Sequence, residues 1–366
     1  MRKMSGPAPE VAEVRTAVRR ALDEIGCGPG TPLLVACSGG ADSTALAAAA
    51  VYLSRARGGS DPSSRPVFGA VVDHGLQPGS ADRARDTVAL LDGLGIPSTA
   101  LTVDVTGPGG MEAAARRARY EALRAARPMP DSPVLLGHTM DDQAETVLLG
   151  LGRGSGARSM AGMAAYDRPW LRPLLGVRRT TTRAACAAQG LPIWDDPHNV
   201  DPRFTRVRLR HEVLPLLEDV LAGGVAGALA RTAAQLAEDL TALDEMAARA
   251  RVAVELDGSK MDGSGPAGSR LDAKALAEYP AAVRRRVLRA WLLDAGVREL
   301  SDARLRAADA LVARWRGQGG LALQGGSDLA REHGRLMLRP STTRESRPEA
   351  RPAPVGADSG NAHDLS

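Results

Sequence analysis

Hydrophobic spacing alternates between two patterns along the first half of this chain. Short continuous apolar runs at 33–37, 67–73, 99–103 and 133–137 have strand length. The stretches between them, at 44–57, 81–94 and 112–126, carry helical spacing, and 10–26 reads as an amphipathic helix. Strands that alternate with helices predict an α/β fold, a parallel sheet with helices on both faces. Beyond 213 the pattern changes. Residues 213–253 are Ala/Leu-rich with helical periodicity and suit one or two connecting helices. Residues 272–316 are helical by spacing, and 320–338 suit a hairpin around Gly325-Gly326, so a smaller, mostly helical second domain is expected. Residues 257–270, rich in Gly, Ser, Asp and Pro, read as a surface loop. The Pro/Ser/Arg-rich stretch 341–366 lacks apolar periodicity and is expected to be disordered.

In parallel sheets ligands bind beyond the C-terminal strand ends, and the notable polar positions fall there. After the first run come Ser38, Gly39, Gly40, Ala41, Asp42 and Ser43, then an Ala-rich helical stretch. This order puts backbone N–H groups and small hydroxyls at a helix N-terminus, where an anion is favoured. Two adjacent glycines let backbone approach a phosphate without a Cβ between them. The spacing is neither G-x-x-x-x-G-K-[ST] nor G-x-G-x-x-G. S-G-G-x-D-S resembles the PP-loop of the ATP pyrophosphatase superfamily, which splits ATP between its α- and β-phosphates.

The second run ends Val71-Val72-Asp73-His74-Gly75-Leu76. Its carboxylate and imidazole suit ribose, adenine or a second substrate, and equally an ordinary strand-end turn. The fourth run leads into Gly137-His138-Thr139-Met140-Asp141-Asp142-Gln143-Ala144-Glu145-Thr146. Asp142 and Glu145, three apart, share one helical face. Two carboxylates there suit a magnesium ion or an ammonium group, or a capping cluster at the positive end of the helix dipole. In Glu112–Tyr120, Arg116 and Arg119 lie on one helical face. Glycine-flanked and clustered arginines recur at Arg153-Gly154-Ser155-Gly156, Arg172-Pro173-Leu174-Leu175 and Phe204-Thr205-Arg206-Val207-Arg208-Leu209-Arg210.

Composition narrows the class. A chain of 366 residues is long for one domain. Its 44% hydrophobic content supports full cores, and 3% aromatic content means those cores are mostly Ala, Leu and Val. Cys27, Cys37 and Cys186 form no C-x-x-C, which argues against a disulfide framework and a cysteine-based metal site. With no membrane-length apolar run and no apolar signal segment, a cytoplasmic protein is expected. The net charge of +4 is unevenly spread: residues 153–212 hold eleven Arg against five Asp/Glu, and 274–316 hold ten Lys/Arg against five. Arginine suits bidentate phosphate contact and base stacking, so these regions point to nucleic acid.

Taken in order, these segments resemble the tRNA(Ile)-lysidine synthetase family. Its pattern comprises the PP-loop, V-D-H-G-L-R, E-x-x-A-R-x-x-R-Y, G-H-x-x-D-D-Q-x-E-T, R-P-L-L, D-P-x-N and R-N-x-x-R. The match spans about 30–217, with weaker similarity to about 338. Gln77 stands where the family often has Arg, and Val207 where it usually has Asn. The resemblance implies an N-terminal helix (1–29), a catalytic domain (30–217), connecting helices (218–256), a tRNA-binding domain (257–340) and a tail (341–366), without the large C-terminal domain of longer members. It also implies ATP-dependent attachment of free L-lysine to C2 of the wobble cytidine of a minor tRNA(Ile) with a CAU anticodon.

The same resemblance implies roles for particular residues. Ser38, Gly39, Gly40, Ala41, Asp42 and Ser43 would hold pyrophosphate, with Mg2+ between Asp42 and Asp142. Arg116 and Arg206 would lie near the phosphates and the activated base, and His138, Asp142 and Glu145 near the lysine. A homodimer is compatible with the family. The alternatives are a PP-loop tRNA thiolase, for which paired cysteines are lacking, an amidotransferase-type enzyme, for which no N-terminal nucleophilic cysteine follows Met1, and a non-catalytic ATP- or RNA-binding module.

Overall fold

The computed structural model describes residues 6–55, 65–107, 110–154, 156–256, 269–324 and 326–340. The chain divides into two compact units, Met1–Leu240 and Thr241–Ser366. The expected loop before Ser269 and the expected tail lie outside the described residues.

The first unit runs α1 (Pro9–Glu24), β1 (Leu33–Ala36), α2 (Ala41–Arg55), β2 (Val67–Asp73), α3 (Ser80–Gly93), β3 (Ser98–Thr102), α4 (Gly110–Ala125), β4 (Val134–Leu136), α5 (Met140–Gly152), α6 (Ala157–Met160), β5 (Tyr166–Asp167), β6 (Trp170–Leu171), α7 (Arg179–Ala188), α8 (Thr205–Arg208), α9 (Leu214–Val220) and the first half of α10 (Val225–Val254), whose remainder from Thr241 belongs to the second unit. The sheet order is β3-β2-β1-β4-β6-β5. The pairs β3–β2, β2–β1, β1–β4 and β4–β6 are parallel, and only β5 runs antiparallel, against β6. β1 and β4 are buried at every position, as expected for strands covered on both faces. The chain winds from β1 outward to β3 and then returns to β4 on the other side of β1. The C-terminal ends of β1 and β4 therefore flank the switch point where open α/β sheets bind ligands.

The apolar stripe of α1, Val11, Val14, Val18 and Leu22, joins one core with Leu33 and Val35 of β1, Leu46 and Ala50 of α2, and Ala185 of α7. Ten of the eleven α2 residues from Ala41 to Val51 are buried, Asp42 being the exception. Small side chains let this helix lie close to the sheet, which explains how a chain poor in aromatics fills its core. From Thr205 to Val220 the chain stays helical, but it widens into a π turn over Leu209–Val213. Such turns often mark functional sites.

The second unit holds β7 (Glu255–Leu256), β8 (Arg270–Asp272), α11 (Ala273–Ala277), α12 (Ala281–Asp294), α13 (Asp302–Ala313), β9 (Leu321–Leu323), β10 (Ser327–Glu332) and β11 (Arg335–Pro340). Its sheet order is β7-β8-β11-β10-β9, antiparallel throughout. Trp291, Leu288 and Leu292 of α12 pack with Leu311 of α13 and Leu329 and Leu336 of the sheet. The expected turn near Gly325-Gly326 does join β9 to β10, although Gly325 lies outside the described residues. A second hairpin, β10–β11, was not expected. His333 (φ 48°) and Gly334 (φ 79°) form its two-residue turn, the left-handed geometry that matches strand twist.

Candidate active site

The Ser38–Ser43 loop leaves β1 and opens α2. Ser43 anchors it from inside: its Oγ accepts the Ser38 N–H (3.1 Å) and donates to the Gly40 carbonyl (3.1 Å). Gly39 is buried with φ 81°, and a Cβ there would lie 2.7 Å from Thr87 Oγ1. Only glycine fits both constraints. The Gly39 carbonyl accepts the Trp194 N–H (2.9 Å), tying the loop to the segment after α7.

Two cavities adjoin this loop. One of about 620 Å3 lies between the exits of β1 and β4 and is lined by Ser38, Asp42, Ser43, His138, Asp142 and Arg179, among others. Another of about 300 Å3 lies between β1 and β2 and includes Asp73, His74, Gln77 and Thr87. Ser38, Arg119, Trp194 and Asp196 line both. In the smaller cavity the Gly75 N–H (2.9 Å) holds the Asp73 carboxyl below its usual range. Burial, and then nearby Arg119, lower the His74 pKa, and its Nδ1 is buried with no partner. Gln77 donates to Asp196 (3.4 Å) and accepts from Arg83 (2.9 Å). The position that departs from the family pattern thus fixes the cavity wall.

The larger cavity holds a carboxylate cluster caged by arginines. Asp42 Oδ1 accepts from Thr182 Oγ1, and its Oδ2 lies 3.3 Å from Arg179 Nε. Asp142 closes a capping box: its Oδ2 accepts from the Thr139 N–H and hydroxyl, both at 2.8 Å. Its Oδ1 accepts from Arg179 (2.5 Å) and Arg210 (3.4 Å). Glu145 is 0% exposed and takes a fork from Arg210, Nε at 2.7 Å and Nη2 at 3.2 Å. Arg179 Nη1 stands 3.6 Å from Glu145, and Arg206 Nη1 4.0 Å. Asp141, beside the cluster, instead accepts the Arg179 backbone N–H (2.8 Å).

Burial pushes Asp42 above the ordinary carboxylate range against the pull of Thr182 and Arg179. For Asp142 burial acts in the same sense, but Arg179 and the two Thr139 donors outweigh it and the pKa falls. Burial disfavours the charge on Arg179, yet Asp142, Asp42 and Glu145 raise its pKa further above the usual arginine value. Burial drives His138 down to about 4, so it is neutral near pH 7, and its Nδ1 has no partner.

The structure therefore gathers Ser38, Gly40, Ala41, Asp42, Ser43, His138 and Asp142 around one cavity, with Glu145 beneath it. It places Arg116 elsewhere: exposed, its guanidinium 4.8 Å over the Tyr120 ring, and outside both cavity linings. Arg119, three residues on, faces the cavities instead. Asp42 and Asp142, expected to share Mg2+, flank the same cavity, and two carboxylates suit a magnesium that takes its other ligands from phosphate and water. Arg179 bridges the two carboxylates, and among the described residues no group of three or more His, Cys, Asp or Glu could hold a metal. Arg179 and Thr182 were not singled out in the sequence, because nothing local marks them. Arg210 was, but only as one member of a basic run. Val207, in place of the family's Asn, is buried at the start of this helical segment.

In the second unit, arginines that the charge count assigned to tRNA have internal partners. Arg284 forks onto Asp309 (2.7 and 3.1 Å), with both side chains 12% exposed. Arg286 pairs with Asp244 (2.8 Å), and Arg289 donates to the Leu300 carbonyl (3.4 Å).

A six-stranded α/β sheet with a Ser38–Ser43 phosphate-type loop at its switch point defines the class, a PP-loop nucleotide-binding protein. Residues 14–217 match the PP-loop domain model, and 271–337 match the TilS substrate binding domain. The chain is 53% identical to the tRNA(Ile)-lysidine synthase of Rhodococcus erythropolis over 90% of its length and 96% of that protein's. It is 54% identical to that of Nocardia farcinica over 92% and 100%, and 53% identical to that of Mycobacterium tuberculosis over 83% and 90%. The chain belongs to the tRNA(Ile)-lysidine synthase family. A U34-tRNA thiolase from Methanococcus maripaludis shares the fold, with a TM-score of 0.52 at 17% identity over 63% of this chain and 80% of that one. No single helix among the described residues is long and apolar enough to cross a membrane.

Proposed function

We propose that this chain is the ligase that joins L-lysine to C2 of the wobble cytidine of a minor tRNA(Ile) with a CAU anticodon, using ATP. The cytosine C2 oxygen is a poor leaving group. Its attack on the α-phosphate of ATP expels pyrophosphate and makes it an adenylate. The lysine amine then attacks C2, and AMP leaves with that oxygen. The single observation that carries the reading is the larger cavity, which joins an anion cradle to a carboxylate cluster that can receive an ammonium.

The Ser38–Ser43 loop would hold the leaving pyrophosphate, and Arg206, with Arg179, would stabilise charge developing at the phosphate. Asp142 and Glu145 would receive the lysine ammonium. A carboxylate that binds an ammonium raises its pKa, so a base must take its proton before attack. Neutral His138 lines the same cavity and would orient the deprotonated amine. Magnesium would enter bound to ATP as part of the substrate. The wobble base must leave its stack at a cost of a few kcal/mol, which phosphate contacts from the basic surfaces would offset. The thiolase alternative is not favoured by the relatives, and paired cysteines are lacking. A cytoplasmic homodimer is the working state we propose.

The test is incubation with ATP, lysine and a panel of tRNA transcripts, followed by nucleoside mass analysis. A lysine-sized mass gain confined to the CAU-anticodon tRNA(Ile) is expected. Pyrophosphate release with no modified nucleoside would refute the ligase reading.

A further inference from the structure

The carboxylate cluster is already satisfied before any substrate arrives. Each of the six oxygens of Asp42, Asp142 and Glu145 has a protein donor: Thr182 and Arg179 for Asp42, Arg179, Arg210 and Thr139 for Asp142, Arg210 for Glu145. An incoming ammonium meets no carboxylate oxygen that lacks a donor there.

The two buried arginines are held differently. Arg210 makes a two-toothed fork on Glu145, a strong and directional arrangement. Arg179 spreads its nitrogens over three carboxylates, with one contact to each: 3.3 Å to Asp42, 2.5 Å to Asp142 and 3.6 Å to Glu145. It forms no fork with any of them. Its guanidinium also lines the cavity that the Ser38–Ser43 loop opens onto. A phosphate offers the bidentate partner that Arg179 lacks, within the same cavity.

We propose that Arg179 is a stand-in cation. It neutralises the cluster in the substrate-free protein and turns to the phosphates when ATP enters. Asp142 and Glu145 are then left short of positive charge, a costly state inside a protein, and the lysine ammonium restores the balance. Bound nucleotide therefore raises lysine affinity. The inference rests on the reading of ATP and lysine as substrates given above. By linkage, whatever factor nucleotide adds to lysine affinity, lysine adds to nucleotide affinity.

Calorimetric titration of L-lysine into the full chain, alone and saturated with α,β-methylene-ATP, tests this directly, since that analogue cannot release pyrophosphate. Lysine affinity should rise about tenfold or more with the analogue, within the usual range of such couplings. Arg179→Met should tighten lysine binding to the nucleotide-free protein by a similar factor and remove the dependence on nucleotide. Arg179→Lys, which keeps a cation in place, should retain weak nucleotide-free binding. Equal lysine affinity with and without the analogue in the unaltered chain overturns the proposal, as does absence of binding in both states, and neither result depends on a variant folding. Failure of the underlying reading is distinct, because it shows as absence of modified tRNA in the mass assay.

Discussion

Gly137 and Ser43 meet backbone to backbone. A Cβ on Gly137 would lie 2.9 Å from the Ser43 nitrogen and 3.0 Å from its Cα. The exit of β4 thus presses on the first turn of α2, and the carboxylate cluster and the Ser38–Ser43 cradle share one wall.

Gly137→Ala should therefore disturb both. The atoms it would strike are backbone and cannot rotate away, so a cost of about 1–3 kcal/mol is expected. Urea denaturation should show this loss, and ATP titration a weaker affinity. Unchanged values in both would mean that the contact has slack.

Asp42→Asn should fold but release pyrophosphate poorly. The amide keeps the size and can still meet Thr182, but it no longer offers charge to the magnesium that enters with ATP. Loss of one charge-assisted contact, about 2 kcal/mol, predicts roughly a thirtyfold slower adenylation. Near-normal release at saturating ATP would refute this.

Glu145→Gln should separate the two half-reactions. Pyrophosphate release without lysine should survive, while lysidine formation falls. Because Glu145 is fully buried against Arg210, a stability loss of about 1–3 kcal/mol should accompany it. Equal loss in both half-reactions would assign Glu145 to the nucleotide.

His138 sets a pH dependence. Its folded pKa is depressed from 6.5 to about 4 by burial, so in this window the unfolded chain binds more protons. Its contribution to stability is complete above pH 6.5 and is lost as pH falls towards 4, up to about 3 kcal/mol. His138→Gln should flatten that part of the stability–pH curve, measured by urea denaturation across the range. An unchanged slope would place the acid sensitivity elsewhere, with His74 the next group to test.

The second unit should meet tRNA through arginines that lack internal partners. Arg314 and Arg316 are exposed and flank Trp315, which is 38% exposed and has Arg331 5.4 Å over its ring. An aromatic between two cations with no side-chain partner among the described residues suits base stacking beside phosphate contact. Replacing Arg314 and Arg316 with Ala should weaken tRNA binding and reduce its salt slope by roughly one per contact. Arg284→Ala should instead destabilise the unit, because it strands buried Asp309. The opposite pattern, read by filter binding and thermal melts, would restore Arg284 to the tRNA surface.

Apolar runs and helical spacing were enough to place β1 to β4 and the helices between them within a few residues, because strands buried on both faces and helices over a sheet each demand a local period. Ser38–Ser43 was equally legible, since a glycine turn between a strand and a helix needs only neighbouring residues. β5 and β6 escaped notice because two residues carry no period. The second hairpin escaped because its turn is His333-Gly334 rather than the more obvious glycine pair.

What only the tertiary structure decided was who neutralises whom. Asp42 and Arg179 are 137 residues apart, and Glu145 and Arg210 are 65 apart. A run such as Arg284-Arg285-Arg286 looks solvated until Asp309 closes on it. Charge pairing depends on distance in space and on exclusion of water, and neither is written in local order. The sequence by itself determined the fold class, the cradle and the carboxylates. Folding alone determined which arginines hold those carboxylates, because only packing brings α7 and the π turn against α5.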